Sequence, residues 1–221
     1  MLKRQIKPFE KTQDLMKVYR MAFEKAKYLK DFDEKILAFN EVIDYCASSK
    51  VCVEEDTVKR NQILFWTYNN IGDAFFEKNI VEPGAENYVY ALQYYQNAIE
   101  FLNSAAEKKN VLEKISHIYL ELQDEKSWQK TLEQMALIED DDMKRQAFVK
   151  LADTTDDIKL QSQYLENALN YVIYENISFL EKCKNTLYIC DRLLFIYEQT
   201  KSTSDYDRIR TLQKNTLSLL N

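Results

Sequence analysis

His117 is the single histidine of the chain. Nucleophile–base pairs usually set a histidine beside a hydroxyl or thiol, and metal sites usually need several ligands. Ser116 is its neighbour in sequence, but successive side chains on a helix do not face each other, so the two form no dyad. The four cysteines, Cys46, Cys52, Cys183 and Cys190, have no metal-ligand spacing. Cys183 and Cys190 lie roughly 10 Å apart on one helix at a rise of about 1.5 Å per residue, and a disulfide needs Cα atoms within about 7 Å. Cys46 and Cys52 flank a loop and have the reach to meet; four reduced thiols in a cytosolic protein is the plainer reading. The acidic runs Asp140-Asp141-Asp142 and Asp153-Thr154-Thr155-Asp156-Asp157 lack the spacing and central glycine of a calcium loop and fit helix capping. The residues therefore predict no catalytic group, no metal and no cofactor.

What remains is recognition. The chain has fifteen tyrosines, eleven phenylalanines and two tryptophans. Tyr88, Tyr90, Tyr94 and Tyr95 crowd one segment, and such a stripe reads first as core. The alternative is binding, because a tyrosine with a packed ring and a wet hydroxyl also carries contact energy. With 30 Lys and Arg against 36 Asp and Glu, the net charge is −6. Duplex affinity comes largely from cations neutralising phosphates, so nucleic acid is not an expected partner. The basic start, Lys3, Arg4, Lys7 and Lys11, reads as a solvated tail over residues 1–8. No stretch approaches the roughly 18 apolar residues of a membrane span. No apolar run of a secretory signal follows the N-terminus. The expected location is the cytoplasm.

The elements that must position these residues are helices. The 221 residues include only two glycines and two prolines, where average usage gives roughly 15 and 11. Hairpins and phosphate-cradling loops depend on glycine, so sheet-rich, Rossmann and P-loop folds are excluded. Apolar residues recur at three- and four-residue steps from residue 9 onward. The pattern predicts helices over 9–29, 34–47, 57–79, 86–104, 109–122, 127–139, 143–153, 157–174, 177–200 and 205–219. Asp33 and Ser127 are the expected caps of the second and sixth. The segment 57–79 is apolar nearly all round and should sit between neighbours. About ten helices with short connections read as stacked antiparallel pairs in one domain, 1–221.

A repeat search locates the clearest unit at 63–104. Tyr68-x2-Ile71-Gly72-x2-Phe75 is followed by Ala91-x3-Tyr95-x2-Ala98. This resembles the tetratricopeptide repeat (TPR), with W-x2-L-G-x2-Y on the first helix and A-x3-F-x2-A on the second. Weaker copies run through Tyr19 to Ala26, Leu112 to Tyr119, Phe148 to Ala152 and Cys190 to Tyr197. The positions equivalent to Gly72 across the copies, 23, 72, 116, 152 and 194, are 49, 44, 36 and 42 apart, longer than the family period of about 34. The resemblance implies a right-handed superhelix of about five antiparallel helix pairs, an all-α solenoid. It implies a non-enzymatic module that binds a peptide or helix of another protein in a concave groove. In that register Arg20, Trp66, Asn69, Asn70, Asp73, Phe76, Lys114 and His117 line the groove as one strip. Trp66 and Phe76 also suit burial between repeats. Some TPR proteins clamp a peptide's terminal carboxylate; Asn70, Arg20 and Lys114 match that clamp in kind, while Glu24 and Asn110 depart from it. Three alternatives share the architecture: a SNAP-like membrane-fusion adaptor, a chaperone of secreted proteins, and an all-helical enzyme.

Overall fold

The computed structural model describes residues 12–48, 54–102 and 104–220. The basic start with its tail, and Cys52 with any bridge to Cys46, lie outside the described residues. Ten α-helices and no strand occur among the described residues: α1 (Thr12–Tyr28), α2 (Phe32–Ser48), α3 (Glu54–Val81), α4 (Ala85–Ile99), α5 (Ala105–Glu121), α6 (Glu125–Ala136), α7 (Asp141–Asp153), α8 (Ile158–Val172), α9 (Phe179–Gln199) and α10 (Thr203–Ser218). Helices pack in adjacent pairs, α1 with α2, α3 with α4, α7 with α8 and α9 with α10. The all-α class and the ten helices agree with the periodicity of the sequence.

Two compact units divide the chain, Met1–Ile118 and Tyr119–Asn221, with the boundary inside α5. In the first, α3 touches α1, α2 and α4. Ile63, Leu64 and Ile71 of α3 are buried with Phe39 and Val42 of α2 and Ala22 and Ala26 of α1. A helix apolar on most faces is thus packed on most faces. Tyr68, Phe75, Tyr94 and Phe101 form a ladder of rings between α3 and α4, with centroid separations of 5.5 Å for Phe75–Tyr94 and 5.6 Å for Tyr68–Phe101. Tyr88 meets Phe76, Tyr90 meets Phe75, and Tyr95 is buried. The tyrosine stripe of α4 is therefore mainly inter-helix packing.

Gly72 shows why the pair packs so closely. A Cβ placed there would lie 2.6 Å from Cε1 and 2.7 Å from Cδ1 of Tyr95. Close approach is what the repeat resemblance implies at this position, and the side chain lying against it is Tyr95 of α4. Between these helices the Gly84 N–H donates to Asn79 Oδ1 at 2.9 Å, and Asn87 Nδ2 donates to the Glu82 carbonyl at 3.0 Å.

In the second unit, Leu165, Ala168, Ile189, Cys190 and Leu193 are buried between α8, α9 and Ile209 of α10. Phe148 of α7 stacks on Tyr171 of α8 at 6.0 Å and 5°. Glu175, in the turn between α8 and α9, has a fully buried carboxylate. It accepts from Arg145 of α7 and from Asn185 Nδ2 of α9 at 3.2 Å. Arg145 also donates to Asp142 at 2.8 Å. One buried carboxylate thereby ties three elements together.

Two expected caps move. Helix α2 starts at Phe32, so Asp33 lies in its first turn and Asp31 Oδ1 accepts from the Glu34 N–H at 3.0 Å. Helix α6 is capped by Asp124, which accepts from the Ser127 N–H at 3.1 Å; Ser127 is the recipient of the cap. A side chain can cap only from outside the first turn, and each true cap sits two or three residues before the expected one. Asp140 and Asp157 cap α7 and α8, and Ser178 with Glu181 forms a capping box on α9. With no glycine following α5 or α9, Gln123 and Lys201 take the positive φ values that close these helices, 56° and 55°. The following N–H groups, of Asp124 and Ser202, donate back to the Tyr119 and Tyr197 carbonyls at 3.0 Å.

Candidate functional site

The expected strip draws on α1, α3 and α5, all within the first unit for the residues concerned. Its centre is Asp73 on α3. Its carboxylate accepts from the Tyr95 hydroxyl at 2.6 Å, from Asn69 Nδ2 at 3.3 Å, and from Lys114 Nζ at 2.7 and 2.9 Å. Lys114 also donates to Asn69 Oδ1 at 3.1 Å and lies 5.4 Å from the centroid of the Tyr95 ring. Asn70 faces the other way. Its amide donates to the Trp66 carbonyl one turn earlier at 2.6 Å, and to the Tyr19 hydroxyl of α1 at 3.2 Å. The Tyr19 ring packs against Trp66 with centroids 5.6 Å apart. At the far end, Phe76 meets His117 edge-on at 5.5 Å.

Helical spacing explains the assembly. Asn69 and Asp73 are four apart and share one face of α3, as do Trp66 and Asn70. Lys114 and His117 are three apart on α5. The structure joins Trp66 and Asn70 to Tyr19 of α1, and Asn69, Asp73 and Phe76 to Lys114 and His117 of α5. Arg20 is exposed one residue past Tyr19, and no hydrogen bond or ion pair joins it to the other seven among the described residues. Trp66 and Phe76 are half-buried, lying between the groove and packing alternatives. Ser116 is buried and His117 exposed, so these neighbours do point apart.

The electrostatics are those of a satisfied network. The Lys114 ammonium and Asp73 carboxylate neutralise each other and are both partly buried. Burial, and then the Asp73 charge, push the Tyr95 phenol far above its ordinary range, so it remains a donor. Tyr19 is also raised by burial, with the Asn70 bond pulling the other way. Asn69, Asp73 and Lys114 satisfy one another, Trp66 and Phe76 are half-buried, and the Arg20 and His117 side chains are exposed. Of the residues that suit a carboxylate clamp, Lys114 is engaged by Asp73 and Asn70 by Tyr19.

Two residues of the network stand outside the expected strip. Tyr19 carries the link from α1, and Tyr95 the link from α4. Both occupy aromatic positions of the repeat pattern, where their rings account for the packing and conceal the use of their hydroxyls. No group of three or more His, Cys, Asp or Glu among the described residues is placed to hold a metal ion. Cys46, Cys183 and Cys190 are buried as thiols, not disulfides. No described helix is long and apolar enough to cross a membrane.

No family model matches the chain. No curated protein matches it either. Among solved structures, one match is a chain described under "Computational Design of Self-Assembling Cyclic Protein Homooligomers", at 12% identity and a TM-score of 0.24, covering 95% of this chain and 94% of that one.

Proposed function

We propose that the chain is a TPR-like, non-enzymatic interaction module of the cytoplasm that holds a peptide or helix of another protein against the face formed by α1, α3 and α5. The observation supporting this reading is that α3 is joined to the alternate helices on both sides, to α1 by Tyr19–Asn70 and to α5 by Asn69–Asp73–Lys114 and Phe76–His117. Contact between alternate helices is the arrangement that presents equivalent positions of successive repeats on one surface. A network already satisfied in the free protein holds its ring edges in place, and a fixed surface loses little entropy on binding. Trp and Arg, represented here by Trp66 and Arg20, are among the residue types enriched at binding hot spots. With Lys114 neutralised, acidic character in a partner would be met by Arg20.

The test is affinity capture with a variant that leaves the Asn69–Asp73–Lys114 network and the Tyr19–Asn70 bond in place. Arg20→Ala with His117→Ala alters two exposed side chains. The expected result is loss of the captured partner with an unchanged circular dichroism spectrum. An unchanged partner list, with affinity within about twofold, would overturn the assignment of this face. The identity of the captured protein separates a fusion adaptor, a chaperone of secreted proteins and a subunit of a metabolic complex.

A further inference from the structure

The second unit contains a cavity of about 440 Å³ lined by Gln161 of α8 and by Tyr188, Asp191, Arg192, Phe195 and Ile196 of α9. That volume lies in the range of pockets that accept ligands or side chains, roughly 300–1,000 Å³. Tyr188 and Phe195 are 53% and 63% exposed. They are seven positions apart, about 10 Å along the helix, with Asp191 between them.

The charges at this cavity do not cancel. Arg192 is consumed: it ion-pairs with Asp153 of α7, and its guanidinium carbon lies 5.7 Å from the Tyr188 ring centroid. Asp191 is bonded to the amide of Gln213 on α10, a neutral partner. The Asp153–Arg192 pair sums to zero, which leaves the Asp191 carboxylate without a cationic partner beside the exposed Phe195 ring, the Tyr188 ring being covered by Arg192. Gln161 donates to the Ala152 carbonyl at 3.0 Å and so holds its side of the rim. Over residues 119–221 there are eighteen Asp and Glu against thirteen Lys and Arg, so the surrounding field has the same sign.

Aromatic faces attract a cation within about 6 Å of the ring, most strongly where water is partly excluded. Lysine and arginine also lay their aliphatic stems along apolar surface while the charged head stays at the polar end. From this geometry we infer that the α9 cavity is a second docking site, one that takes a lysine or arginine side chain from a basic segment of a partner protein. An acidic segment would face Asp191 and be repelled. The site is therefore distinct in chemistry from the α1–α3–α5 strip and stands whether or not that strip binds.

Isothermal titration of the full chain tests this with a capped nonapeptide of alternating arginine and alanine, against a control of alternating glutamate and alanine. The arginine peptide should bind and the glutamate peptide should not. Asp191→Asn, which preserves an acceptor for Gln213, and Phe195→Ala should each weaken binding about tenfold. Asp207→Asn removes the same charge from an exposed position of α10 outside the cavity and should change affinity less than twofold. Circular dichroism checks folding, and Tyr188→Leu replaces Phe195→Ala if that variant is unfolded. Equal weakening by Asp207→Asn would reduce the effect to unspecific attraction and overturn the site, as would absence of arginine-peptide binding. A dimer in sedimentation that Phe195→Ala dissolves would also overturn it, by making a second copy of this chain the occupant.

Discussion

At Gly72 one added methyl group reaches a buried ring. The substitution Gly72→Ala should raise helix propensity by roughly 1 kcal/mol, yet its Cβ would sit 2.6 Å from Tyr95. That ring cannot swing away cheaply, because its hydroxyl is bonded to Asp73 and the residue is 1% exposed. Overpacking of this kind destabilises by about 1–3 kcal/mol, so Gly72→Ala is expected to lower the midpoint in urea. In a Tyr95→Leu background the same change should be neutral or stabilising, a coupling that a double-mutant cycle measures. The thiols make a second prediction at this scale. Burial pushes Cys46 and Cys190 from about 9 up to about 11. Between those values the unfolded chain has released protons that the folded chain retains, so stability falls as pH rises through that window. The melting temperature should drop from pH 8 to pH 10.5, and Cys46→Ala with Cys190→Ala should flatten the decline. A melting temperature that holds constant or rises would contradict the assignment.

Among the elements, the turn between α8 and α9 depends most on one interaction. The Glu175 carboxylate is 0% exposed and its cationic partner is Arg145. Removing one member of a buried pair leaves a charge without compensation, which typically destabilises by about 3–5 kcal/mol. Arg145→Ala should show a loss of that size in urea unfolding, and Arg145→Met with Glu175→Gln should recover much of it. If the single change proves nearly neutral, Glu175 is not the tie between α7, α8 and α9. The helices themselves were legible in the sequence because period 3.6 repeats in every segment and glycine is nearly absent. Their starts were read less well. Asp31 and Asp33, or Asp124 and Ser127, are equally good capping types, and only the turn in which each side chain lies decides between them. The Arg145–Glu175 pair was not legible at all, since residues 30 apart carry no local period. Its one local signal was the acid at the centre of Ile173-Tyr174-Glu175-Asn176-Ile177.

For the whole molecule, helical spacing in the sequence places Asn69 with Asp73 on α3 and Lys114 with His117 on α5. It did not reveal that Asp73, Asn69 and Lys114 would satisfy one another, which depends on side-chain reach across helices. It also left out Tyr19 and Tyr95, whose hydroxyls serve the network while their rings serve the packing. The first unit thus presents exposed Arg20 and His117 beside a neutralised network, while the second presents aromatic rings around a carboxylate. Amide hydrogen exchange of the full chain, with and without its captured partner, tests the central claim most directly. Protection on binding should appear in α1, in residues 62–77 of α3 and in residues 110–118 of α5, and be absent from α2. Protection confined to α2 and α4, with α3 and α5 unchanged, would contradict it.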